Sequence, residues 1–256
     1  MMATIAAPFC AAFLFDGLAQ ATFIAICLAS IWLFLKIVKR RLYSVLAAPG
    51  DLPHNQIPKR LWRVFKEVIL QYRVVRERPV AGILHAFVLW GFLAFAWVSA
   101  QHMLLGLRGL SKATEARSWY NAFVAVWAVA VLVAMIGLSF RRFVLRPKPL
   151  GKLSATSGIV AFLISALMVT YLLGWGVFPV GTMAWNVNWW AHTISFFALL
   201  DVIPISKHLH LVLAPFTIFL ASETTSPMRA LRQEGEDLGM IRFPDLGRKA
   251  ILDVNA

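Results

Sequence analysis

Charge is scarce in this chain. Only 14% of its 256 residues are Asp, Glu, Lys or Arg, and 12 acidic residues face 25 basic ones. Soluble domains carry about a quarter charged residues, so most of this length does not read as a soluble fold. Cysteine is nearly absent as well. Cys10 and Cys27 are the two, with no metal-site spacing, and they read as inert packing residues. A framework of several disulfides and a cysteine-built metal site are thereby excluded.

What is present is apolar. Hydrophobic residues make up 60% of the chain. Uncharged runs occupy 17–35, 79–107, 118–140 and 153–200. A bilayer core takes roughly 20 apolar residues per helix, so the first three runs supply one span each. The fourth is too long for one span and is interrupted by GVFPVG at 176–181, where Pro179 and its flanking glycines end a helix. The expected fold is all-α, an integral membrane bundle of five helices at about 17–37, 79–106, 118–140, 154–177 and 189–205. Pro204 and Pro215 predict a kink or break in the fifth span, with a short apolar continuation to 222. Residues 1–222 thus form one membrane domain, and 223–256 a tail of mixed charge.

The basic excess follows topology. Eleven Lys and Arg lie from Lys36 to Arg78 and five from Arg141 to Lys152, in loops on one side of the membrane. The opposite loops hold Arg108, Lys112 and Arg117, and none in 178–191. The positive-inside rule puts the N-terminus outside and the C-terminus in the cytoplasm. No nucleic-acid partner is implied. Within the first basic stretch, 59–78 carries Leu61, Val64, Phe65, Val68, Ile69, Tyr72 and Val75 at helical spacing with basic residues opposite, the pattern of an interfacial helix. His54, in the turn-rich loop before it, reads as solvated.

Against this background the histidines stand out. His85 and His102 lie in the second span, and His192, His208 and His210 in or beside the fifth. Ionisable residues at membrane depth are functional candidates, and neutral imidazole is a common ligand of haem iron. His85 and His102 are 17 residues apart, roughly 25 Å along a straight helix, and His192 and His210 are 18 apart, roughly 27 Å. The two spans run antiparallel, which pairs His85 with His210 at the cytoplasmic level and His102 with His192 at the outer level. Each pair is a candidate to grip a haem iron from both sides.

Eighteen residues are five turns, which places His192 and His210 on one face. Seventeen are not a whole number, and His102 is rotated about 100° from His85. His102 also reads as an interfacial residue and His192 as part of the aromatic belt WNVNWW. Of His208 and His210, one reads as a ligand and the other as a hydrogen-bond partner of a haem propionate or a quinone. Lys207, Arg78, Arg141 and Arg142 are candidates to neutralise propionates. Asp201, in an apolar helix half, needs either a proton or a basic partner.

The element PISKHLHLVLAP at 204–215, with His192 before it, resembles the last helix of the gamma subunit of respiratory nitrate reductase. It resembles still more the membrane domains of heterodisulfide-reductase-like iron–sulfur proteins. ERPVAGILHAFVLWGF at 77–92 resembles the second helix of that family, with His85 as its inner ligand. The resemblance implies a quinol-reactive b-type cytochrome of five helices, with His85 and His210 on an inner haem. One position departs: Phe95 stands where the nitrate reductase subunit carries a second histidine. An outer haem then uses His102 with His192, or is absent or differently ligated. In the iron–sulfur relatives a segment similar to RFPDLGRKAILDVNA leads into a cysteine-rich domain, so the tail at 223–256 points toward an iron–sulfur domain or partner.

The expected function is electron transfer between the quinone or menaquinone pool and a cytoplasmic iron–sulfur partner, through one or two haem b groups. The expected place is a prokaryotic cytoplasmic (inner) membrane. A haem-free membrane anchor for a peripheral redox complex and a small proton-relaying transporter are the rival readings; the latter lacks an inverted repeat.

Overall fold

The computed structural model describes residues 3–47, 56–114, 118–147 and 154–221, with side chains left undescribed at 3–15, 41 and 44–47. The solvated reading of His54 and the tail at 223–256 lie outside the described residues. Within them the protein is helical, with no strand. Eight α-helices follow in order: α1 (Ala3–Ala47), α2 (Ile57–Val64), α3 (Tyr72–Glu77), α4 (Pro79–Arg108), α5 (Trp119–Ser139), α6 (Ala155–Gly176), α7 (Met183–Val202) and α8 (His210–Phe219). Four helices are long and apolar enough to cross a membrane, or five if the bent pair α7–α8 is counted as one span.

Local chemistry sets the boundaries. Pro79 opens α4 at its first turn, where the missing N–H costs nothing, and Gly109 ends it at φ 94°. The Ser118 side chain caps α5 by accepting from Asn121 N, and Thr182 caps α7 by accepting from Trp185 N. Pro204 has no N–H to offer the ladder, and α7 stops at Val202. After the short turn Lys207–Leu209 the chain resumes as α8, bent by 89° from α7.

α4, α5, α6 and α7 form the bundle. Its core centres on α5, whose Val124, Ala128, Val131 and Ala134 are almost fully buried, and continues into Leu163, Leu167 and Met168 of α6 and Leu199 of α7. Gly91 lets α4 lie close on α5: a Cβ there would collide with the Val131 side chain. α1 packs on the outside through a second cluster, in which Phe23 meets Trp189 and Phe197. Large apolar side chains point outward from the bundle, including Trp97, Val126, Val133 and Phe162. A surface of this kind suits lipid, and the helical backbone satisfies its own polar groups there.

The interfacial segment is not one helix. α2 passes into a π-turn at Phe65–Ile69, breaks at Leu70–Gln71 and restarts as α3. The apolar stripe assigned to a single continuous helix therefore divides into two short pieces. The basic residues opposite it also do more than meet solvent. Arg60 is buried and donates to Phe219 O at 2.7 Å and Ala221 O at 3.1 Å, and Arg63 donates to Ala221 O at 2.8 Å. Two guanidinium groups thus cap the carbonyl end of α8, where helix polarity favours a cation.

Replacing Gly91 with Leu overpacks the α4–α5 contact. The variant is expected to lose about 1–3 kcal/mol of stability, read as a lower melting temperature of purified protein in detergent. An unchanged melting temperature contradicts the close packing.

Candidate functional site

The 89° bend places His210 at the first position of α8, facing His85 on α4. Their ring centres are 6.3 Å apart and the planes are inclined by 30°. An imidazole–metal bond of about 2 Å on each side, plus about 1.1 Å from each nitrogen to its ring centre, would set two imidazoles on opposite sides of one metal roughly 6.2 Å apart. The pair has that spacing. The other ring nitrogens are occupied. His210 Nδ1 lies 2.8 Å from Lys207 O; a carbonyl only accepts, so Nδ1 carries the proton and the Nε2 lone pair is left available. His85 Nδ1 lies 2.7 Å from Gln71 Oε1, which likewise takes its proton.

Both rings line an apolar cavity of about 350 Å³. Val88, Phe92, Val131, Leu167 and Leu199 are among its walls, drawn from α4, α5, α6 and α7. His208 lines it too, with its ring 6.2 Å from His210 and its Nδ1 3.1 Å from Ser206 Oγ. Of the two neighbouring histidines, His210 is the one that faces His85. Lys207 and Arg142 are electrostatic neighbours at this end, and neither lines the cavity. Arg78 is exposed at the start of α4, Arg141 is half-buried in the π-turn after α5, and neither lines the cavity.

At the other end of the bundle the arrangement differs. His102 and His192 are brought together, but at 4.8 Å between ring centres and 53° between planes. That is more than an ångström too short for an iron between trans imidazoles. Thr193 Oγ1 donates its single proton to Trp189 O, so at 2.8 Å from His102 Nε2 it accepts from that ring. The nitrogen that would reach a metal is thereby committed, and His102 also stacks on Trp189 at 4.6 Å. The same reasoning applied to Thr170, which donates to Ala166 O, gives His192 a protonated Nδ1 and a free Nε2 lone pair.

A second cavity, of about 270 Å³, lies here and is lined by His102, His192, Gln101, Asn121, Thr170 and Asn188 among others. His192 is the single residue common to the two cavities.

One sequence expectation needs correction. The spacing of His192 and His210 assumed a continuous helix of five turns, whereas the break after Val202 intervenes; the two share a cavity because of the bend, not helical phase. Asp201 meets the Ser30 hydroxyl of α1 at 3.1 Å through Oδ2, while Oδ1 is buried without a hydrogen-bond partner among the described residues, so the need for a proton or a further partner stands. Sequence reasoning passed over Gln71, Thr170 and Thr193. Thr170 lies on a helix that carries no candidate of its own, and Gln71 on a segment read as lying on the membrane surface.

Two known proteins are similar to this chain. One is the EtfAB:quinone oxidoreductase of Syntrophomonas wolfei, 26% identical over 85% of this chain and 36% of its own length. The other is the probable iron–sulfur-binding oxidoreductase FadF of Bacillus subtilis, 22% identical over 91% of this chain and 38% of its own length. Both are oxidoreductases. The chain spans little more than a third of either relative. Neither is a nitrate reductase subunit, so these relatives bear on the iron–sulfur side of the resemblance. No family model and no solved structure matches.

Among the described residues no three or more His, Cys, Asp or Glu gather into a metal cage. A lone pair of imidazoles suits an iron that brings its equatorial ligands with it. The His85–His210 rings have the spacing, tautomers and apolar walls that a haem would need; the His102–His192 rings lie closer together, with His102 Nε2 hydrogen-bonded to Thr193.

Changing Thr193 to Val strands the His102 Nε2–H in a buried position. The expected loss is about 1–3 kcal/mol, visible as a lowered melting temperature. A variant as stable as the parent contradicts the assigned tautomer.

Proposed function

We propose that this chain is the membrane part of a quinone-linked electron-transfer system, holding one haem b between His85 and His210. The observation that carries the reading is the 6.3 Å separation of those two rings across an apolar cavity. The similarity to two oxidoreductases, one named for a quinone and one for iron–sulfur binding, supports it. Haem b supplies reversible one-electron chemistry when bound. The chain's residues do the rest. His85 and His210 would hold it through their Nε2 lone pairs, Lys207 and Arg142, outside the cavity wall, would offset propionate charge, and Val88, Phe92 and Leu167 would give it apolar walls.

The quinone reading belongs to the outer cavity. Its lining supplies amide and imidazole groups suited to a ring with two oxygens, and the His192 Nε2 lone pair would accept a hydroxyl proton. His192 also forms part of the inner cavity wall, which gives a short path between the two ligands. The basic loops orient the His85–His210 end toward the cytoplasm of a prokaryotic cell, with the N-terminus outside and the C-terminus inside. An iron–sulfur domain or subunit is the partner at that face.

A pyridine haemochrome assay on purified protein is expected to give one haem b per chain. His85→Ala and His210→Ala remove it, and His102→Ala retains it. Two haems per chain, or none, contradict the assignment. His192→Phe is expected to keep the haem and to slow its reduction by a short-chain quinol at least tenfold, read by stopped-flow absorbance. An unchanged rate separates His192 from the quinone.

A further inference from the structure

Gln71 occupies a position that its segment is built to hold. Its backbone is left-handed, φ 52° and ψ 31°, a conformation that residues other than glycine and asparagine seldom take. Such positions persist only where surrounding contacts enforce them. Here three hydrogen bonds do so. Leu70 N donates to Phe65 O at 3.0 Å and closes the π-turn on one side, and Val75 N donates to Gln71 O at 3.0 Å and starts α3 on the other. Trp90 of α4 donates from Nε1 to Ile69 O at 2.7 Å and fastens the break to the bundle.

Gly82 completes the arrangement. A Cβ there would come within 2.5 Å of Val75 Cα and 2.7 Å of Val74 O, so α3 rests on bare α4 backbone. That close approach lowers the start of α3 onto the first turns of α4. Gln71 is 5% exposed as a result, an unusual burial for a glutamine on a cytoplasmic connection. Its Oε1 lies 2.7 Å from His85 Nδ1, three residues beyond Gly82.

We infer that Gln71 is the positioning residue of the haem site, fixing the His85 tautomer and setting the electron-donating strength of that ligand. The inference rests on the reading of His85 and His210 as axial ligands. A hydrogen-bond acceptor at Nδ1–H makes the opposite nitrogen a stronger donor and favours the ferric iron. The two ligands are not equivalent in this respect. His210 gives its Nδ1 proton to a main-chain carbonyl, which no side-chain substitution removes. His85 gives its proton to a side chain. Gln71 is therefore the place where sequence alone adjusts the site: an amide sets a moderate donor, a carboxylate a strong one, and an apolar side chain a weak one.

The test is a spectroelectrochemical redox titration of Gln71→Glu and Gln71→Leu beside the parent, with haem counted in each. The parent is expected to hold one haem. Gln71→Glu should keep it and lower the midpoint by about 59 mV or more, a tenfold shift of the one-electron equilibrium toward ferric iron. Gln71→Leu should shift the midpoint upward. A Gln71→Leu variant that loses haem while Gln71→Glu retains it with a lowered midpoint also supports the inference, because the acceptor restores what the amide supplied. Midpoints unchanged within error in haem-loaded variants overturn it and leave the ligand assignment standing, as does haem loss in both variants. A parent without haem overturns the ligand assignment itself, and the inference with it.

Discussion

The break after Val202 is the constraint on which the site depends. Pro204 cannot donate to the helical ladder, and the chain turns by 89° before α8 begins. Without the turn, His210 would lie five turns along from His192 at the far end of one rod. With it, His210 opens a separate short helix and its ring stands opposite His85. The same turn frees the Lys207 carbonyl to take the His210 Nδ1 proton, so one local backbone event sets both the position and the tautomer of the ring.

A bend of that kind needs holding. Ten residues of α8 are too few to be stable alone, and its last carbonyls have no helical partners. Arg60 and Arg63 of α2 reach those carbonyls. The connection that supplies the two arginines also supplies Gln71, some ten residues on, to the ring facing His210. One amphipathic stretch therefore braces both sides of the pair. Its exposed Trp62 and Phe65, stacked at 5.4 Å, leave an aromatic surface suited to the headgroup region.

The helices and their order are legible in the sequence, because hydropathy over a window of span length reports a solvent and needs no tertiary contacts. The break near 204 is legible for a similar reason: proline acts locally. His85 and His210 emerge as a pair from topology alone. The outer pair shows where this reasoning stops. Spacing along two antiparallel rods brings His102 and His192 to one level, and the structure does bring them together. Level does not decide distance, however, and 4.8 Å with a committed Nε2 is a different chemistry from 6.3 Å with a free one. The deciding groups are threonine hydroxyls at 170 and 193, which carry no signal of their own in a linear reading. Gln71 was hidden by its neighbours: its surroundings read as a continuous interfacial helix, and only the break at Leu70–Gln71 turns its side chain inward.

In the proposed function His85 and His210 would hold a single haem iron between them. Low-temperature electron paramagnetic resonance of the oxidised protein, combined with near-infrared magnetic circular dichroism, reads the axial ligands directly. One low-spin ferric species per chain with bis-histidine ligation is expected. A high-spin five-coordinate signal, a second low-spin species of equal intensity, or a low-spin iron with a ligand other than histidine would contradict it.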